Sequence, residues 1–208
     1  MEAIIAAISI PVTILNTLGG IIGGLWLIVT GNWTLVLGAL ISTLVSTWIL
    51  GFLLMPTLIF AKPLMWASEH KKRSLVVLLG AISSVWTYSL ILIYNVSSFN
   101  YILSNHQDGA VLPYLLLAYA VATGPWTYMA SQESRSGDVG WGTTLPVYSA
   151  CVAAIAMMIT VIVLGVPSTL ALAITCFIPL AIAWLLQIFV VSSTLKTWSE
   201  EYPNESST

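Results

Sequence analysis

Charge is what this chain has least of. Six Lys and Arg and eight Asp and Glu make up 7% of its 208 residues, against about 25% in soluble domains. With 58% hydrophobic residues, a water-soluble globule of this size has too little polar surface to cover itself, and that class is excluded. Catalytic signatures are missing as well. There is no Gly-rich phosphate loop ending in Gly-Lys-Ser/Thr, no His-Glu-x-x-His, no dinucleotide fingerprint, and no Ser, His and acid set for a hydrolase. No catalytic or metal-ligating residue is assigned, and no cofactor or nucleic-acid partner is expected. Cys151 and Cys176 lie in apolar stretches without the spacing of a metal or redox motif, so core packing is their expected role. No Lys or Arg precedes the first apolar stretch, only Glu2; the charged start of a cleavable signal peptide is missing and the first segment is expected to be retained. Alternation of apolar and polar residues is missing too. Runs such as Leu75 to Leu79 and Val152 to Leu164 exclude a membrane β-barrel, which needs that period.

What is present is length without charge. Six apolar segments can be drawn, Val12 to Val29, Trp33 to Met55, Ser74 to Tyr94, Ala110 to Met129, Leu145 to Leu164 and Ser168 to Val191. Each approaches or exceeds the roughly 20 residues that cross about 30 Å of hydrocarbon, and in lipid a helix satisfies its own backbone. The expected fold is all-α, a single transmembrane domain of six helices over residues 1–195, followed by a flexible polar tail over 196–208. Gly31-Asn32 and Gly165-Val166-Pro167 leave room only for tight hairpins, which makes segments one and two, and five and six, antiparallel neighbours.

All six cations fall in alternate connections. Lys62, Lys71, Lys72 and Arg73 follow segment two, Arg135 follows four and Lys196 follows six. The positive-inside rule then puts these connections and both termini in the cytoplasm. Trp33, Trp66, Trp141 and Trp198 sit at the expected interfaces, whereas Trp48, Trp86 and Trp184 lie deeper, where an indole N–H needs a partner. Residues 56–73 combine Leu58, Ile59, Phe60, Leu64, Met65 and Trp66 with the basic run and read as a cytoplasmic interfacial segment. Lys62, Lys71, Lys72 and Arg73 would lie near lipid headgroups. Trp86-Thr87-Tyr88 recurs as Trp126-Thr127-Tyr128, too short a match to establish an internal repeat.

The six segments contain no Asp, Glu, Lys, Arg or His, the usual mark of proton relays and ion-coupled carriers. Their polarity resides in hydroxyls and two amides. Asn16 and Gln187 each fall within roughly 10 Å of the cytoplasmic boundary at about 1.5 Å per residue. Thr123 and Ser149 share that layer, with Ser46 and Thr47 slightly deeper. These six residues are the expected solute path, if their helices face one another; the bland alternative is hydrogen bonding between helices. Pro113, Pro125, Pro146 and Pro179 each remove a backbone donor, and Gly124-Pro125 is expected to kink or end the fourth helix.

Small residues mark packing faces. Gly19, Gly20, Gly23 and Gly24 form two overlapping Gly-x-x-x-Gly patterns, Gly38, Ser42 and Ser46 repeat the spacing in segment two, and Ala118 and Ala122 lead to Trp126 in segment four. The last run is similar to one in the vitamin-binding subunits of energy-coupling-factor importers, but there it belongs to the first helix. Leu15-Asn16-Thr17-Leu18-Gly19-Gly20, Gly24-Leu25-Trp26-Leu27 and Val121-Ala122-Thr123-Gly124-Pro125-Trp126 together resemble a group of small uncharacterised bacterial inner-membrane proteins. That resemblance implies a bacterial cytoplasmic membrane and a shared helical fold, with no activity attached. The functional expectation is a channel or passive carrier for a small uncharged or weakly polar solute, working as a homo-oligomer in the bilayer. The alternative is a non-catalytic accessory subunit that binds another membrane protein through its small-residue faces.

Overall fold

The computed structural model describes the backbone of residues 2–70, 72–106, 110–136 and 141–201, and the side chains of 14–70, 72–106, 110–129, 131 and 145–193. Among these residues the chain is helical apart from its turns. The helices are α1 (Glu2–Val29), α2 (Trp33–Ile59), α3 (Ala61–Glu69), α4 (Arg73–Ser104), α5 (Val111–Ser136), α6 (Trp141–Leu164) and α7 (Thr169–Glu201). Four stretches, Trp33–Glu69, Arg73–Ser104, Leu145–Leu164 and Thr169–Ser193, are long and apolar enough to cross a membrane, and Ile14–Val29 is a shorter apolar helix.

Helix α5 is the axis of the bundle, packed against α1, α2, α4 and α6, while α7 packs on α4 and α6. Tyr114, Leu115, Leu117, Ala118, Tyr119, Val121, Ala122, Thr123 and Trp126 are all buried. Because it is surrounded by other helices, α5 accommodates Tyr119, Thr123, Gly124 and Pro125 in its buried middle. Helix α2 is the reverse case. Only Leu35, Val36, Ala39 and Leu50 of it are buried, and Trp48, Phe52 and Leu44 point outward. A surface this apolar is matched to hydrocarbon.

The glycine face of α1 is turned inward onto α5. A Cβ on Gly23 would stand 2.6 Å from the Pro113 carbonyl oxygen and 3.1 Å from the Leu117 nitrogen, and one on Gly20 would stand 2.9 Å from Cβ of Ala120. Only a bare backbone fits there. Gly24 faces Val36 of α2 at an ordinary 3.6 Å, and Gly38 of α2 makes room for the Tyr101 hydroxyl of α4. The small-residue stripes thus serve contacts within the chain.

Both hairpin turns rest on a glycine in the left-handed region, Gly31 at φ 91° and Gly165 at φ 76°. At the first, the Gly31 N–H donates to the Ile28 carbonyl and the Asn32 N–H to the Leu27 carbonyl, a Schellman ending to α1. The Asn32 side chain then donates to the Tyr114 hydroxyl at 3.2 Å, tying the turn to the start of α5.

Several boundaries differ from the sequence expectation. α4 continues ten residues past Tyr94 to Ser104, a length of about 48 Å at 1.5 Å per residue. Asn95, Ser98 and Asn100 lower the apolar signal of that stretch without ending the helix: Asn95 bonds Ala150 of α6 and Asn100 bonds Thr169 of α7, while Ser98 lies by the Tyr94 hydroxyl of its own helix. α1 starts at Glu2, and α7 continues to Glu201, so the tail expected from Lys196 begins as helix; residues 202–208 and Lys71 lie outside the described residues. Residues 56–73 divide between the end of α2, which runs through Pro56 to Ile59, and the nine-residue α3.

Gly124-Pro125 does not end α5, which continues to Ser136. Proline at 125 removes the donor that would serve the Val121 carbonyl. Tyr94 of α4 supplies it instead, its hydroxyl donating to that oxygen at 3.1 Å. Two of the deep tryptophans find partners in the same way. The Trp86 indole donates to the Leu53 carbonyl at 2.7 Å, close to Pro56, and that of Trp184 donates to the Ser84 hydroxyl at 3.0 Å. Trp86 is largely outside the core whereas Trp126 is 3% exposed, so the two Trp-Thr-Tyr matches occupy unlike environments.

Candidate functional site

Ser84, Tyr88, Asn95 and Ser98 recur on α4 at three-, four- and seven-residue intervals, and Tyr119 and Trp126 stand seven apart on α5. Each set therefore lies along one face, and all six side chains are buried. These faces meet each other and α6 at the centre of the bundle. Asn95 is the node: fully buried, it donates from Nδ2 to the Ala150 carbonyl of α6 at 3.0 Å and accepts at Oδ1 from the Trp126 indole at 3.3 Å. A carbonyl on one side and an N–H on the other admit only one orientation of the amide. Three helices are joined by one side chain.

Around this node the polar groups are unevenly satisfied. Tyr94 is spent on Val121, with Thr43, Ser46 and Ser98 about its hydroxyl, and its ring meets Trp126 edge-on with centroids 6.1 Å apart. The Tyr88 and Tyr119 hydroxyls are buried and have no hydrogen-bond partner among the described residues. Tyr88 faces Ser149 without bonding geometry, and the Ser149 hydroxyl donates to the Pro146 carbonyl of its own helix at 2.7 Å. Tyr119 faces the Cys151 thiol, a weak partner. Leaving a hydroxyl dry and unpaired costs about 1–3 kcal/mol, and the two such groups face α6 at Ser149 and Cys151, the neighbours in sequence of the Ala150 that Asn95 bonds.

The residues expected to line a solute path fall into separate groups. Asn16 of α1 donates to the Thr127 hydroxyl of α5 at 3.1 Å. Ser46 belongs to the Tyr94 surroundings. Thr47 and Thr123 each donate to the carbonyl one turn back on their own helix, Thr43 and Tyr119 respectively, at 2.8 Å. Ser149 stands at Tyr88. Gln187 of α7 is half-buried with its Oε1 unpartnered, on a helix packed against α4 and α6. Of the six, Ser149 faces the Tyr88 hydroxyl and Thr123 bonds the Tyr119 backbone. Ser42 is half-buried on α2, and Ala118 and Ala122 are fully buried in α5.

Asn95, Tyr88 and Tyr119 were not among the residues singled out from sequence. Asn95 is the first residue after the expected third segment, and Tyr88 and Tyr119 lie inside the expected third and fourth segments. The recurrence of polar side chains at 84, 88, 95 and 98 was the available signal.

Of the described basic residues, Lys62 lies in the first turn of α3, and Lys72 and Arg73 lie at the start of α4. Lys62 is exposed, Lys72 places Nζ 4.3 Å from the Trp66 ring centroid, and Arg73 donates to the Ser192 carbonyl of α7 at 2.8 Å. His70, next to Glu69, directs Nδ1 to the Trp66 carbonyl at 2.8 Å and stacks on that indole. No group of three His, Cys, Asp or Glu among the described residues is placed to hold a metal ion. Two clefts open along the α4–α7 seam, one of about 550 Å³ at Arg73, Ser74 and Ser192, the other of about 300 Å³ between Val85, Leu92, Phe177 and Leu185. No family model, curated protein or solved structure matches the chain.

Proposed function

We propose that the protein is a six-pass carrier for a small, uncharged polar solute in a bacterial cytoplasmic membrane. In this reading α1, α2, α4, α5, α6 and α7 cross the bilayer, α3 lies at the interface, and the basic end of α3 and α4 faces the cytoplasm with both termini. The apolar outer surface supports the crossings, and the confinement of Lys and Arg to one set of connections supports the orientation. The protein acts without chemistry on its cargo.

The observation that carries the solute reading is that the hydroxyls of Tyr88 and Tyr119 are both buried without a partner among the described residues, on the faces of α4 and α5 that also carry the Asn95–Trp126 contact. Buried polar groups are normally paired, and exceptions call for a bound partner or a role. A solute with a hydroxyl or amide satisfies such a group where the protein does not. An ionised cargo is disfavoured, since among the described residues no charged side chain is buried to offset its desolvation. Tight packing around Phe99, Tyr119 and Met157 favours a carrier that opens over a standing pore.

The test is solute flux into proteoliposomes, followed by light scattering with a panel of water, glycerol, urea and small amides. Wild type should exceed protein-free vesicles for at least one solute, and Tyr119→Phe should reduce that flux. Equal flux with and without protein across the panel refutes the reading. A subunit role in a larger assembly is the second reading. It has lost one motive, because the α1 glycine face is filled by α5; a stoichiometric foreign protein in the mass of the purified complex would restore it, while a multiple of the chain mass would favour a homo-oligomer.

A further inference from the structure

The α4–α7 seam combines a cation and an apolar channel on one line. At its basic end the first cleft is bounded by Arg73, Ser74 and Ser192, and it continues along α4 through Val77 and Leu78 to Ala81. One helical turn further, at Val85, the second cleft begins and follows α4 to Leu92, with Phe177 and Leu185 as its other wall. Trp184 stands where they meet, its indole fixed to Ser84 and to the Ala81 carbonyl. The seam therefore carries two successive clefts on one line, the first with Arg73 at its end and the second apolar, with Trp184 at their junction.

Arg73 is held without being neutralised. One Nη donates to the Ser192 carbonyl at 2.8 Å, and no carboxylate among the described residues pairs with it. A guanidinium has five N–H donors in a fixed fork, so most of its capacity remains for an anion, and the Ser74 hydroxyl is exposed beside it. Twelve residues separate Arg73 from Val85, about 18 Å along the helix, slightly more than half of a hydrocarbon core about 30 Å thick. A lipid whose phosphate sits at Arg73 thus lays one acyl chain along Val77, Leu78 and Ala81, with its end in the second cleft.

We infer that this groove is a binding site for one anionic phospholipid of the leaflet at the basic end of α4. Charge complementarity at Arg73 selects the headgroup, and the length of the apolar wall selects a long chain. The inference rests on the membrane orientation proposed above and is independent of the solute reading, since its readout is lipid retention and not flux.

Native mass spectrometry of the purified full chain provides the test. Dioleoyl phosphatidylglycerol and dioleoyl phosphatidylcholine are offered at equal concentration. The expected result is a one-lipid adduct favouring phosphatidylglycerol by about tenfold, the factor equivalent to ~1.4 kcal/mol. Arg73→Gln should abolish the preference, Arg73→Lys should retain part of it, and Lys62→Gln should leave it intact. Val85→Trp, which narrows the apolar wall away from the charge, should lower retention of dioleoyl lipid more than that of a dihexanoyl analogue. Glycerol 3-phosphate in excess should not displace the lipid; displacement would mean a site for the phosphate group alone. Equal adducts for both headgroups, or an undiminished preference in Arg73→Gln, would overturn the inference.

Discussion

Adding a single methyl group to adjacent glycines of α1 should have opposite effects. At Gly23 a Cβ would lie 2.6 Å from the Pro113 carbonyl oxygen and 3.1 Å from the Leu117 nitrogen, both backbone atoms of α5. Ordinary contact begins near 3.4 Å, so the two helices would have to part by up to about 0.8 Å, a gap that forfeits a quarter to a half of the dispersion attraction across the affected seam. Overpacking of this kind costs about 1–3 kcal/mol. At Gly24 the added Cβ would lie 3.6 Å from a Val36 methyl, where contact is gained. Both substitutions share the helix-propensity gain of about 1 kcal/mol, so it cancels in the difference between them. Gly23→Ala should therefore melt below Gly24→Ala by roughly 2–12 °C, taking about 2–4 °C per kcal/mol for a chain of this size. The assay uses a thiol-reactive dye in detergent, because Cys151 and Cys176 are free and fully buried and become reactive only on unfolding. Equal melting temperatures, or Gly23→Ala the more stable, would refute the packing of α1 on α5 through its bare strip.

Asn95→Leu should lower the melting temperature by roughly 2–12 °C, because it strands the Trp126 indole in the core at a cost of about 1–3 kcal/mol. Asn16→Leu, at a half-buried pair with Thr127, should cost only about 0.6 kcal/mol; equal losses in the same dye assay would contradict the assignment of Asn95 as the node. For orientation, single reporters at Ser68 and Ser104, both exposed, should label from opposite sides of the membrane. An impermeant maleimide applied to intact spheroplasts should modify Ser104→Cys and spare Ser68→Cys until lysis, and labelling of both from one side would be incompatible with α4 crossing the bilayer.

How far the sequence reveals this architecture depends on what each helix faces. Where it faces lipid, as in α2, apolarity is nearly continuous and the helix is legible from composition. α5 and the second half of α4 face protein, and there polar residues are allowed as long as a neighbour satisfies them. Asn95 therefore looked like the end of a helix when it was the centre of a junction, and Gly124-Pro125 looked like a break that Tyr94 in fact repairs. The two hairpin turns were legible because a left-handed residue has few alternatives to glycine. The hydroxyl and amide layer was readable as a list of residues at similar depth, but depth does not determine azimuth. Thr47 and Thr123 turned to their own helices, a local competition that helical threonines commonly resolve this way, and Gln187 stands on a helix that packs against α4 and α6.

Tyr88 is where the two proposed sites meet. Its ring forms part of the wall of the α4–α7 cleft, while its hydroxyl is buried toward Ser149 in the polar centre. Tyr88→Phe removes the hydroxyl and keeps the wall. If the two sites are physically separate, this variant should lose solute flux and keep the phosphatidylglycerol preference of the wild type. It should also unfold no earlier, since it deletes a buried donor that has no partner and removes its desolvation cost of about 1–3 kcal/mol. Lost lipid preference in Tyr88→Phe would mean that the hydroxyl belongs to the groove. A lower melting temperature would mean that it is already paired within the protein, which would remove the observation on which the solute reading stands.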